Sequence, residues 1–125
     1  MATILVVEDE PFIRQSAEWT IGDMGHSPLM AYDLASALEH LSAPGTIEAL
    51  FVDIRLSKLA FGGYDIADQA IRLRPELRVL YTSGTPLSDD MTVRFVGGGR
   101  FIQKPYSPEQ LGVSVDAMLH AASGA

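Results

Sequence analysis

Four short apolar runs rich in β-branched residues recur along the chain at Thr3–Val7, Ala49–Ile54, Arg78–Tyr81 and Arg100–Gln103, with a weaker one at Ser27–Ala31. Three or four consecutive apolar residues without alternation suit strands covered on both faces, which is the pattern of a parallel sheet rather than of a hairpin meander. Helical stretches separate them. Ile13, Ala17, Ile21 and Met24 step by three or four along one face, and Gly25 supplies a stop. Asp33 can cap a second helix carrying Leu34, Ala37, Leu38 and Leu41, which ends before Pro44 and Gly45. A third is expected over Tyr64–Leu73, ended by Pro75, and a poorly signalled fourth over Pro86–Val96, just ahead of three glycines. The fifth is well marked: Ser107 as N-cap, Pro108 at the first position and Gln110 completing a capping box before Leu111, Val115 and Leu119.

Five strand–helix alternations in 125 residues make one α/β domain, a parallel sheet covered on both faces by right-handed crossovers. Residues 1–122 are assigned to it, and 123–125 to a short tail. The charge balance, 9 basic against 16 acidic residues for a net −7, repels nucleic acid and anionic lipid, so neither is expected as a partner. The absence of cysteine excludes disulfides, thiolate metal sites and thiol nucleophiles. No stretch approaches the roughly 20 apolar residues of a membrane-spanning helix, and the first strand lacks a basic leader, so a cytoplasmic location is expected.

In an open parallel sheet, ligands sit beyond the carboxyl ends of the strands. The first strand delivers Glu8 and Asp9 there, with Glu10 behind; the third delivers Asp53, the fourth Thr82 and Ser83, the fifth Lys104. Three carboxylates are the hard oxygen set that Mg²⁺ prefers, and a carboxylate beside such a cation and a lysine can accept a phosphoryl group. The bland readings are a polar exit from each strand, turn-forming hydroxyls before Gly84, and core packing for Phe101. Gly97–Gly99 precedes a strand rather than opening a helix and so is no phosphate loop. His26, His40 and His120 are scattered, the acids Asp65, Asp68, Asp89 and Asp90 read as solvated faces or caps, and Trp19 as packing at a helix edge.

Taken in order, Ile4–Pro11, Leu50–Leu56, Val79–Gly84 and Phe101–Tyr106 resemble the receiver domain of two-component response regulators over nearly the whole chain. The resemblance implies a flavodoxin-like (βα)₅ fold with strand order 2-1-3-4-5. It implies Asp53 as phosphoacceptor, Mg²⁺ held directly by Asp9 and through water by Glu8, and the backbone carbonyl of Arg55 completing the metal shell. Lys104 matches the lysine that pairs with the phosphoryl group, and its bond to Pro105 is typically cis in the family. Ser83, with Thr82 as second choice, matches the switch hydroxyl, and Phe101 the switch aromatic, where many members have Tyr. The segment Ser57–Gly63 departs from the usual turn by being longer and lacking a proline.

The function so implied is a bacterial signalling switch, not a turnover enzyme. It would accept a phosphoryl group from a sensor histidine kinase or histidine phosphotransfer protein. It would answer through protein contact on the face of the fourth helix, fifth strand and fifth helix, where a homodimer could also form. Because the chain stops just after the fifth helix, no output domain is expected. Two readings stand beside it: a receiver-like module that works without phosphorylation, and an aspartyl-phosphate phosphatase. The latter is disfavoured by Arg55, which stands where a second aspartate is needed.

Overall fold

The structure, a computed structural model, describes residues 1–56 and 62–120. Five strands, β1 (Thr3–Val7), β2 (Ser27–Ala31), β3 (Ala49–Asp53), β4 (Arg78–Ser83) and β5 (Arg100–Gln103), form one parallel sheet in the order β2-β1-β3-β4-β5. The helices are α1 (Pro11–Asp23), α2 (Leu34–Ser42), α3 (Gly62–Leu73), α4 (Asp89–Thr92) and α5 (Pro108–Leu119). This is the expected doubly wound flavodoxin-like architecture. The boundary at residue 122 and residues 57–61 of the Ser57–Gly63 segment lie outside the described residues.

Each strand alternates its side chains between two cores, which is why the apolar runs show no polar phase. Leu5, Val7, Leu50, Val52, Val79 and Tyr81 face α2 and α3, where Ala37, Leu41, Ile66, Ala67 and Ala70 are buried. Ile4, Val6, Phe51, Leu80 and Ile102 face α1 and α5, against Ala17, Ile21, Leu111, Val115 and Met118. The ends of the helices are tied down by side chains. The Ser107–Gln110 capping box forms as expected, and Asp33 caps α2 with Ser36 reciprocating. Arg74 donates to the carbonyl of Leu41 in the last turn of α2 and to those of Ala43 and Gly45 just after it, and Arg78 to those of Met118 and Leu119 at the end of α5. These arginines satisfy carbonyls that a helix cannot satisfy internally.

Three expectations need correction. The fourth helix is one turn, Asp89–Thr92 capped by Ser88, rather than a helix over Pro86–Val96. Its β-branched Thr92 and Val93 favour helix weakly, and the segment is held instead by aromatic packing. Phe95 stacks on Tyr81 at 4.2 Å between centroids and on Phe101 at 6.3 Å, while Tyr81 Oη accepts from the Val96 N–H at 2.9 Å. Secondly, β4 runs two residues beyond the apolar run Arg78–Tyr81, so Thr82 and Ser83 are its last two residues, paired in the ladder, and the alternative reading of them as turn formers is set aside. Thirdly, Trp19 does not pack at a helix edge: it is 63% exposed.

Gly63 lies in the first turn of α3, against the end of β3, its N–H donating to the Ile54 carbonyl at 2.8 Å. A Cβ there would lie 2.1 Å from the Asp53 carbonyl oxygen and 2.6 Å from Ile54 Cα. Both are backbone atoms that cannot swing aside. Gly63→Ala is therefore expected to destabilise the fold by about 2 kcal/mol or more, measured by urea unfolding, with the amide resonances of Asp53 and Ile54 displaced. A neutral substitution would show that α3 can shift off the sheet without cost.

Candidate phosphoacceptor site

The carboxyl ends of β1, β3 and β5 converge, and the lysine is what joins them. Lys104 follows β5, and its N–H extends the ladder by donating to the Ser83 carbonyl at 2.9 Å. From there its side chain crosses β4, placing Nζ 2.8 Å from Asp53 Oδ2 and 2.6 Å from Glu8 Oε1. The Lys104–Pro105 peptide is cis, as the resemblance implied. The second oxygen of each acid is held by backbone: the Arg55 N–H donates to Asp53 Oδ1 at 3.2 Å, and the Glu10 N–H to Glu8 Oε2 at 3.2 Å. Glu10 in turn caps α1, its Oε2 accepting from the Ile13 N–H at 2.7 Å, with Pro11 in the first turn. The Arg14 guanidinium anchors the same corner by donating to the Glu8 carbonyl.

Glu8 and Asp53 are 3% and 5% exposed, so their charges sit largely out of water. Glu8, Asp9 and Asp53 each present an oxygen within 4.8 Å of the others, the one such acidic group among the described residues. Burial pushes the Glu8 carboxyl up to about 7; Lys104 opposes the rise and the charge on Asp53 adds to it. Burial alone would lower Lys104, but its bonds to Asp53 and Glu8 outweigh that and hold it above the ordinary lysine range. Tyr106, packed edge-on against Phe51, is also raised, chiefly by burial and then by the two acids. The geometry fits a divalent cation: three carboxylates offer hard oxygen donors within 4.8 Å of one another, and only two of them are paired with the Lys104 ammonium by the bonds just described.

The structure separates the two candidate hydroxyls by face. Thr82 pairs with Asp53 on one side and Ile102 on the other, and so shares the α1/α5 face with Asp53, Glu8 and Lys104. Ser83 falls in phase with Val79 and Tyr81, on the face that also carries Phe101. Its Oγ accepts from the Thr85 N–H at 3.1 Å. Arg55 is exposed, and its backbone rather than its guanidinium meets Asp53. Sequence reasoning missed Gly63, Glu10 and Tyr106. A cap three residues before Ile13 was readable for Glu10, whereas the other two depend on tertiary contact.

The raised Glu8 fixes a pH dependence. A group whose value in the folded chain lies above its ordinary 4.5 favours folding below that pH, and this contribution is lost as pH rises towards 7. Without added metal, Glu8→Gln should therefore be more stable than the parent at pH 8, by on the order of 2 kcal/mol, with the advantage gone below pH 4.5. Paired urea melts across that range would check it. A variant less stable than the parent at pH 8 would contradict the assignment.

Residues 4–116 match the response regulator receiver domain. The nitrogen assimilation regulatory protein NtrX of Azorhizobium caulinodans is 30% identical over 117 residues, which is 93% of this chain and 26% of that protein. A probable transcriptional regulator, ycf27, of Guillardia theta is 26% identical over 98% of this chain and 47% of its own length. The chain thus spans between about a quarter and a half of these curated relatives. Among solved structures, a response regulator receiver protein from Sinorhizobium medicae superposes with a TM-score of 0.85 at 27% identity, covering 96% of this chain and 95% of that one. NtrX from Brucella abortus does so at 0.79 and 31%, over 95% of this chain and 26% of its own. With the acid cluster, the lysine and the strand order already in place, these matches show that the chain belongs to the response regulator receiver domain family of two-component systems.

Proposed function

We propose that the domain is a phosphoacceptor switch, in which Asp53 takes a phosphoryl group from a phosphohistidine on a sensor histidine kinase or a histidine phosphotransfer protein. The observation that carries this reading is the Lys104 ammonium held between two buried carboxylates, beside a third, at the carboxyl end of a parallel sheet. In the step, a carboxylate oxygen of Asp53 bonds to phosphorus as the phosphorus–nitrogen bond breaks. The electron pair leaves with the imidazole.

Glu8, Asp9, Asp53 and the backbone carbonyl of Arg55 would hold Mg²⁺, which when bound offsets charge on the phosphoryl oxygens. The residues of the chain do the rest. The Arg55 amide and Lys104 orient the Asp53 carboxylate. Lys104 then follows the new dianionic group, and the Ser83 hydroxyl at the end of β4 bonds one of its oxygens. A cleft of 590 Å³ between Phe12, Ile13 and Ser16 of α1 and Gly84, Lys104, Pro105 and Tyr106 borders the site at Lys104.

Drawing Ser83 towards Asp53 moves the loop that follows β4. Phe101, on the face of Ser83 and packed on Phe95, carries that movement to the surface of α4, β5 and α5, where a downstream protein or a second copy would bind. On this reading the chain takes part in its own phosphorylation and dephosphorylation rather than turning over substrate, and works in the bacterial cytoplasm. No described helix is long and apolar enough to cross a membrane. Arg55 at the position of a required second aspartate speaks against the phosphatase reading.

Incubation with acetyl phosphate and Mg²⁺, followed by intact-mass spectrometry, is expected to add one phosphoryl group to the parent chain. Asp53→Ala and EDTA-treated samples should add none, and Lys104→Ala should slow uptake by roughly tenfold or more. If acetyl phosphate and a phosphohistidine donor both fail on a folded parent, the phosphorylation-independent module becomes the better reading.

A further inference from the structure

Thr82 is 2% exposed, and its Oγ1 is buried without a hydrogen-bond partner. The nearby Glu8 Oε1 is equally buried but faces the Lys104 ammonium at 2.6 Å. Thr82 Oγ1 has no such compensation. A hydroxyl in that position costs free energy that valine, almost identical in shape, would avoid. Its neighbours on that face, Leu80 below it and Ile102 beside it, are apolar and would pack equally well against a methyl group.

The ladder shows what the hydroxyl lies beneath. Thr82 stands on β4 between Asp53 on β3 and Ile102 on β5. The N–H of Ile54 donates to its carbonyl at 2.9 Å, and the N–H of Lys104 to the next carbonyl, that of Ser83, at 2.9 Å. Lys104 begins on β5 and ends against Asp53 on β3 and Glu8 after β1, so its side chain crosses β4 on the face that Thr82 occupies. An ammonium has three hydrogens, and Asp53 and Glu8 take two of them.

We infer that Thr82 is a positioning residue for Lys104, its hydroxyl being the acceptor to which the ammonium turns when its hold on Glu8 or Asp53 is given up. The functional consequence rests on the phosphoacceptor reading, because a phosphoryl group on Asp53 and a cation on Glu8 are what would loosen those holds. The contact itself requires neither. Ser83 remains the hydroxyl that meets the phosphoryl group; Thr82 acts on the lysine from the opposite face of the same strand.

The test follows the lysine directly. In protein labelled with ¹⁵N-lysine, the Lys104 ammonium resonance is assigned by its loss in Lys104→Arg. In Glu8→Ala, where one carboxylate is withdrawn without any ligand, the resonance should persist with slowed hydrogen exchange. Adding Thr82→Val should speed that exchange roughly tenfold, and Thr82→Ser in its place should restore it. Thermal melts should find Thr82→Val at least as stable as the parent, which separates the effect from damage to the fold. In parallel, Thr82→Val should lower the maximal rate of phosphoryl uptake several-fold, roughly three- to tenfold, with little change in half-saturating acetyl phosphate, and Thr82→Ser should recover it.

Unaltered ammonium exchange on adding Thr82→Val to Glu8→Ala overturns the inference, whatever the uptake rates. Altered exchange with no phosphoryl uptake by the parent protein upholds the contact and defeats the phosphoacceptor reading instead.

Discussion

A single ammonium reaching across a strand organises this molecule. Lys104 can meet Glu8 and Asp53 only because β5, β4, β3 and β1 lie side by side, in parallel and in a fixed register. The contact is therefore a readout of the whole sheet. It is also a compromise. Two buried carboxylates share one cation, and burial raises the Glu8 carboxyl although Lys104 opposes the rise. A buried pair of this kind contributes little net stability, since desolvation offsets much of the attraction. What it supplies is a set of charges fixed in place before any ligand arrives.

The surrounding fold is spent on fixing them. Gly63 lets α3 start against the backbone of Asp53 and Ile54, which sets where the Asp53 carboxylate points. Glu10 and Arg14 brace the turn after β1, so that Glu8 and Asp9 leave the strand in a defined direction. On the opposite face, Tyr64, Tyr81, Phe95 and Phe101 form a packed aromatic group with the Arg94 guanidinium 4.6 Å above the Tyr64 ring. That group anchors the segment after the one-turn α4, through Phe95. Gly99 belongs to it as well, since a Cβ there would press to 2.8 Å on the Tyr81 ring.

Much of this was legible in the chain. Non-alternating runs such as Ile4–Val7 and Leu50–Val52 mark strands buried on both faces, and their polar ends marked Glu8, Asp9, Asp53 and Lys104 as neighbours across a sheet. Local signals also served well at Ser107 and Gln110, whose capping box depends on four adjacent residues. What stayed illegible depends on distant contact. Nothing local reveals that Trp19 would be left outside, since helix periodicity does not say how wide the covered stripe is. The fourth helix failed because weak propensity and three glycines give no boundary, and tertiary ring packing decided the matter. The extension of β4 through Ser83 is set by pairing to Gln103, and it is as residues of that strand that Thr82 and Ser83 fall on opposite faces.

The central claim is that these strand ends form one working site whose nucleophile is Asp53. The most direct measurement uses the chemistry of an acyl phosphate. The chain is incubated with a phosphohistidine donor and Mg²⁺, then treated with borohydride, which reduces an aspartyl phosphate to homoserine. Peptide mass spectrometry then locates the change. The account predicts homoserine at position 53 alone, and none when the donor or Mg²⁺ is withheld. Homoserine at another acid, or a stable phosphoryl group on a hydroxyl with Asp53 unaltered, would contradict it.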